Sequence, residues 1–268
     1  MGDKKGSAAL WVSGGLIGLL LAAALLAPVL APNDPNETSL VNALQGPGAA
    51  YPLGTDALGR CMLSRILYGA QTSIFTSLII MAIVFCFGCT VGIAAGYMGG
   101  LADQILSKVI TMTQAFPKLI LAIAVAGILG MGIRNTIIAL CVVEWADYAR
   151  LSRNLCKSLK QRAFVKAARL CGASHWQMMW RHMLPNMLPT LVIQASLGIS
   201  AMILEVASLS YLGVGISPPT AEWGAMMNSG REYMQTEIQL ILIPGAAIFI
   251  TAVLFNLFGE KLRDRLAR

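Results

Sequence analysis

Six predominantly apolar stretches divide the chain, running Ala8 to Ala31, Ile74 to Gly96, Val109 to Leu129, Asn135 to Tyr148, Leu188 to Leu212 and Leu240 to Phe258. A membrane-crossing helix needs roughly 20 such residues. Pro117 and Lys118 interrupt the third stretch, and the fourth is short and ends among Glu144 and Asp147. The first is longer than the ~7–15 apolar residues of a signal peptide, so it reads as a retained helix. The pattern predicts an all-α fold, a polytopic transmembrane helical bundle of six spans with both termini on one side.

Composition agrees. Hydrophobic residues make up 56% of the 268 and charged residues only 12%. A soluble domain carries about 25% charged residues. So little charge excludes an ordinary soluble enzyme, a disordered chain and a protein built on a basic nucleic-acid-binding face. The net charge of +7 is then a matter of topology. Fifteen Lys and Arg fall on the side of the termini, eight of them between the fourth and fifth stretches, against four on the other side. Basic residues collect on the cytoplasmic side, so both termini are expected there. The six cysteines are scattered and form no disulfide framework. Cys86 and Cys89 have CxxC spacing, but no base or helix start stands nearby to stabilise a thiolate. They read as small packing residues.

The segment from Arg150 to Pro189 is too long for a simple connection, which takes about 2–8 residues. Leu151, Leu155, Leu159, Phe164, Ala167, Ala168 and Leu170 place apolar side chains near one helical face, with Lys and Arg on much of the other. Gly172 interrupts, Ser174 is placed to cap a new helix, and Trp176, Met179, Trp180 and Met183 form a second apolar stripe. The pattern is helix, glycine turn, helix. By pattern alone, a docking element and a lipid-surface helix fit equally.

The residues here carry a resemblance. Lys166-Ala167-Ala168, three residues, Gly172, nine residues, His182, one residue and Leu184-Pro185 resemble the EAA loop of ABC importer permeases. Lys166 stands where that family has Glu, and His182 where it has Ile. Leu53-Gly54-Thr55-Asp56, then Gly59-Arg60, Ser64-Arg65 and Gly69, resemble the outer segment of the dipeptide, oligopeptide and nickel permeases, with Cys61 in place of a usual Asp. Ser210-Tyr211-Leu212-Gly213, Glu222-Trp223-Gly224 and Phe255-Asn256-Leu257 fit the same family. The single span before Leu53 looks like the C-type subunit of a permease pair.

The resemblance implies a type I ABC importer permease in a prokaryotic cytoplasmic membrane, working by alternating access. Residues 1–73 would form the tail, first span and outer segment. Residues 74–268 would form the five-span core, with a cytoplasmic coupling loop at about 150–187. It further implies a second homologous permease subunit, two cytoplasmic ABC ATPase subunits, an extracytoplasmic solute-binding protein and surrounding lipid, with no nucleic acid. No GxxxxGK[ST] phosphate loop occurs in the chain, so ATP and Mg would be handled by the ATPase subunits. The chain itself is expected to be no enzyme and to bind no cofactor or metal.

Two sets of site residues follow from the resemblance, and a third from an acid placed within an apolar stretch. Lys166, Ala167, Ala168, Gly172, Leu184 and Pro185 would couple to the ATPase, with Phe164 to Gly172 as the coupling helix. Gly54, Thr55, Asp56, Gly59, Arg60, Arg65, Glu222, Trp223 and Gly224 would form an outer segment that gates the path or docks the binding protein, simple loop packing being the alternative. Glu205, mid-span, would be the pathway acid, suited to an amine or a metal cation, or else a helix–helix hydrogen-bonding group. An ionisable residue inside a membrane is costly and is by default functional. Glu144 and Asp147 share a helix face and are expected to pair with Arg150. The cargo is a di- or oligopeptide, or nickel or a metal chelate. Both histidines, His175 and His182, lie in the basic segment, so no histidine-lined nickel path is expected and peptides are slightly favoured. A nickel-specific permease and a non-transporting membrane scaffold are the alternatives.

Overall fold

A computed structural model describes residues 2–266, with side chains from residue 10 onward; Met1, Ala267 and Arg268 lie outside it, as do the side chains of Lys4 and Lys5. Helices make up most of the described residues, with one isolated bridge between Thr55 and Cys61 and no longer strand among them.

All six apolar stretches lie in helices. The first occupies α1 (Gly2–Leu25) and a short α2 (Ala27–Leu30) that carries Pro28 in its first turn. The second lies in α3 (Met62–Met98), whose 37 residues extend about 55 Å. It begins three turns before the expected point, at the buried Ser64 and Arg65. Gly99 and Gly100, at φ +71° and +60°, end it.

The third stretch departs from a straight span. It is split into α4 (Gly100–Thr113) and α5 (Lys118–Leu129), which meet at 88°. Pro117 has no amide proton to give, and it drives Phe116 out of the helical region.

The fourth stretch opens α6 (Ile133–Lys160). The amphipathic helix expected to start at Arg150 is not separate: it is the last three turns of α6. No glycine or proline interrupts this run, and Leu151, Leu155 and Leu159 stay packed on the central core. Then come α7 (Ala163–Leu170), α8 (His175–Gln177), a π-helical turn (Met178–Met183), α9 (Leu184–Tyr211), α10 (Trp223–Gly230) and α11 (Gln239–Leu266).

By length and apolarity α3, the continuous unit His175–Tyr211 and α11 can each cross a membrane, and the bent α4–α5 pair forms a broken span or a re-entrant loop. The apolar part of α1, Leu10–Leu25, is shorter. Three crossings, or four with the bent pair, thus follow from these criteria, against the six expected.

The central core joins α3, α6 and α9 through Ile80, Val84, Leu140, Val143, Leu191 and Val206. A second cluster gathers α3, α9, α10 and α11 around Trp223, Ile74, Ile203 and Phe255. The bundle has two ends. Gly132 donates its amide to the Gly215 carbonyl, and Arg65 reaches the Pro35 and Pro219 carbonyls, so residues 33–61, 130–132 and 213–238 share a loop-rich end. Tyr97 meets His175 at the other, basic end.

Candidate functional site

At the basic end α7 projects from the bundle. Val165 is buried and Ala168 half-buried, while Lys166, Ala167, Arg169 and Leu170 are exposed. The helix stops in a Schellman motif: Ala173 donates its amide to the Ala168 carbonyl and Gly172 donates to Arg169. That motif needs a left-handed residue, and Gly172 supplies φ +83°. Ser174 then caps α8 as expected, through a capping box with Gln177. Lys160 donates to the Tyr97 carbonyl at 2.6 Å, and the Tyr97 hydroxyl meets His175 Nδ1 at 3.0 Å, so α6, α3 and α8 are tied together beneath α7. Leu184 is half-buried and Pro185 exposed in the first turn of α9. The structure therefore brings the expected coupling residues to one end, with Gly172 and the small side chain of Ala167 facing outward. Among the described residues, nothing lies within 4 Å of where a Gly172 side chain would start.

On the face between α5 and α6, Glu144 and Asp147 do not pair with Arg150. Both accept from Lys118, at 2.9 Å and 2.5 Å. The break after Pro117 swings the start of α5 against this face of α6, and a lysine at a helix N-terminus, unfavourable there by itself, finds two carboxylates. Gln114 donates to the other oxygen of Asp147 at 2.5 Å. Glu205 stands on α9, half-buried, with its Oε2 buried and without a partner among the described residues. It lies within the electrostatic influence of Glu144, Lys118 and Asp147.

At the loop-rich end, Gly54 and Gly59 turn the chain at φ +75° each. Asp56 Oδ1 accepts the Leu58 and Arg60 amides, and its Oδ2 pairs with Arg60 at 2.7 Å and lies 3.6 Å from Arg65. Thr55 donates its hydroxyl to the Asn42 carbonyl at 2.5 Å and accepts from the Gln45 amide at 2.8 Å. Cys61 is buried at the start of α3. These residues knot residues 33–61 onto the top of α3.

Glu222, Trp223 and Gly224 are buried, so they present no docking surface of their own. Glu222 caps α10 through the Ala225 amide at 2.8 Å and accepts from the Ser73 hydroxyl at 2.9 Å. The Trp223 indole donates to the Ile66 carbonyl at 3.1 Å and lies where a Gly69 side chain would be. Gly224 sits against the Ala207 backbone of α9. The tract is a brace locking α10 to α3 and α9.

Burial holds the Glu222 carboxyl above the usual carboxylate range. The folded form keeps a proton that the unfolded chain has released. Stability therefore falls as pH rises from the unfolded carboxylate value to the folded one, and Glu222→Gln removes that slope. Glu222→Ala strips both the cap and the Ser73 acceptor, an expected loss of roughly 2–4 kcal/mol. Thermal unfolding of the purified assembly reads both changes; an unshifted Tm in the Ala variant would mean the brace carries no load.

Comparison with known proteins decides the family. Residues 88–268 match the profile of the binding-protein-dependent transport system inner membrane component. The chain belongs to that family of ABC permeases. Residues 7–47 of the permease match a second profile, the N-terminal transmembrane domain of oligopeptide transport permease C, as expected of a C-type subunit. The probable D,D-dipeptide transport system permease protein DdpC of Escherichia coli K12 is 40% identical over 98% of this chain and 88% of its own. The nickel transport system permease protein NikC of the same strain is 41% identical over 94% of this chain and 91% of its own. A chain of the MetNI methionine ABC transporter shares the fold, with TM-score 0.62 over 77% of the permease and 98% of that chain at 18% identity. This permease is thus a membrane subunit of an ABC importer and not an enzyme; ATP hydrolysis belongs to partner subunits.

Two features of the permease escaped the motif reading. One is Gly88, Gly92 and Gly96, four apart on α3, which meet the α6 backbone; the small-xxx-small spacing was the available signal. The other is the identity of the partners of Lys118, which lie 26 and 29 residues away. The lysine's position just after a helix-breaking proline was the only hint.

Proposed function

We propose that this permease passes short peptides across the cytoplasmic membrane, with its basic end facing the cytoplasm and α7 seated on an ATPase subunit. The observation that carries this reading is the exposed, rigidly tied element from Ala163 to Gly172. Its glycine turn is anchored through His175 and Tyr97 to the end of the longest helix, α3. A push on α7 is delivered to α3 and, through the packed α3–α6 face, to the acids on α6. The basic residues around it suit a cytoplasmic face.

In this reading a second permease subunit completes the path, two ATPase subunits bind and hydrolyse MgATP, and an extracytoplasmic binding protein delivers cargo at the loop-rich end. Residues 1–73 add the first span and the knotted outer segment; residues 74–268 form the moving core, with the other five apolar stretches as its crossings. Glu205 lines the path. The brace at Glu222-Trp223-Gly224 and the Asp56–Arg60–Arg65 knot give the outer gate its shape rather than its contact surface. The exposed Lys166, in place of the family's acid, calls for an acidic group on the ATPase.

Nickel is the second reading, because the nickel permease NikC is as similar to this chain as the dipeptide permease DdpC. The full importer in proteoliposomes, given its binding protein and ATP, separates the two. Labelled dipeptide should accumulate with ATP inside the ATPase-bearing compartment. Accumulation of radiolabelled nickel with no dipeptide uptake would replace the peptide reading by the nickel one.

A further inference from the structure

The break between α4 and α5 leaves a cavity of about 340 Å³ beside α6, lined by Gln114, Asp147, Arg150, Asn154 and Gln194. That volume lies in the range of small-molecule sites. Its walls mix polar groups with the apolar surface of Tyr148 and Leu151, and it is open on the side of the exposed Arg150, Asn154 and Gln194.

The cavity is chemically two-sided. On one side the Asp147 carboxylate stands beside the Gln114 side chain, whose Oε1 is buried and has no hydrogen-bond partner. Behind Asp147, Glu144 is 7% exposed, and its Oε1 is also buried and unpartnered. Both orphans are acceptors, so this side is short of donors. Lys118 satisfies one oxygen of each acid and leaves the deficit. On the other side stand Arg150, which forms no ion pair among the described residues, and the amide of Asn154. Asp147 and Asn154 are seven residues apart on α6, a rise of roughly 10 Å. Two to three extended residues cover about 7–10 Å.

We propose that this cavity is a peptide subsite on the translocation path, complementary to a zwitterion. The peptide's ammonium group donates to Asp147 and Gln114 Oε1, and its terminal carboxylate accepts from Arg150 and Asn154. Lys118 is the resident counter-ion: its ammonium holds Asp147 while the site is empty and retreats to Glu144 when a peptide ammonium arrives. No bond is made or broken and the charges balance, one incoming cation replacing one tethered cation at Asp147. The inference rests on the peptide reading above and adds where the peptide sits and which ends are read.

The test uses the complete importer in proteoliposomes at saturating binding protein. Asp147→Asn and Arg150→Gln should each lower the maximal rate of dipeptide uptake at least about tenfold, with the yield of assembled complex unchanged. Asp147→Glu and Arg150→Lys, which keep the charges, should restore much of it. Uptake within twofold of wild type in both neutral variants would overturn the subsite. So would a loss that the charge-keeping variants fail to restore, since that marks a packing role. A wild-type importer that moves nickel and no dipeptide would instead remove the peptide reading itself.

Discussion

Gly92→Leu should eliminate the folded permease. Gly88, Gly92 and Gly96 recur every four residues and therefore form one stripe along α3. Opposite them α6 presents Ala149, Ser152 and Cys156, also small. A side chain begun at Gly88 would lie 2.7 Å from the Trp145 carbonyl oxygen, and one at Gly96 would lie 2.8 Å from that of Arg153. At Gly92 the obstacles are the Ser152 hydroxyl and the Ala149 backbone, closer still. Backbone cannot rotate aside as a flexible side chain can. Helices in lipid gain little from hydrophobic exclusion and associate by close packing of small residues, so wedging them apart removes the main force between α3 and α6. Overpacking typically costs about 1–3 kcal/mol, and more where nothing can yield. That is a large share of a marginal stability of roughly 5–15 kcal/mol. The control is Gly18→Leu on α1, where nothing among the described residues lies within 4 Å. Size-exclusion profiles of the two extracted variants should show no assembled complex for Gly92→Leu and a normal peak for Gly18→Leu. A normal peak for both would show that the helices can separate without penalty.

What could be read from the sequence, and what could not, divides along a physical line. Apolar stretches, the glycine stops and the Ser174 capping box depend on residues close in the chain, and they lie in the fold where local pattern put them. The Arg150 partner assigned to Glu144 and Asp147 was a local choice too, and it failed because the bend at Pro117 brings a lysine from another helix. The same limit applies to Glu222. As part of a loop motif it looked like gate or docking surface, but its partner Ser73 is 149 residues away, and that contact buries it. The boundary of α6 failed for a different reason. Polarity changes at Arg150, so a span seemed to end there, yet helix propensity and the leucine stripe continue to Lys160. A change of solvent along a helix leaves its hydrogen bonds intact.

Gly172→Trp should leave the permease folded, inserted and paired while abolishing peptide uptake and the stimulation of ATPase activity by the loaded binding protein. The first half follows from the space around the residue. Among the described residues, nothing lies within 4 Å of where its side chain would begin, so an indole points into solvent and strains only its own backbone. A non-glycine residue at φ +83° costs roughly 1–2 kcal/mol, which a packed bundle can absorb. The second half follows from where α7 must go. If it enters a groove on the ATPase, the exposed Ala167 and the bare turn after Leu170 are what permit close approach, and a Trp on that turn fills the space the partner needs. Gly172→Asn separates the causes, because Asn tolerates the left-handed region better than most residues and adds a small side chain. If strain alone mattered, Asn would be near wild type and both Trp and Ala impaired. If docking matters, Ala and Asn retain most uptake and Trp has almost none. Normal transport by the Trp variant would remove α7 from the ATPase interface and, with it, the route by which a stroke at the basic end reaches Tyr97, α3 and the acids beside the cavity.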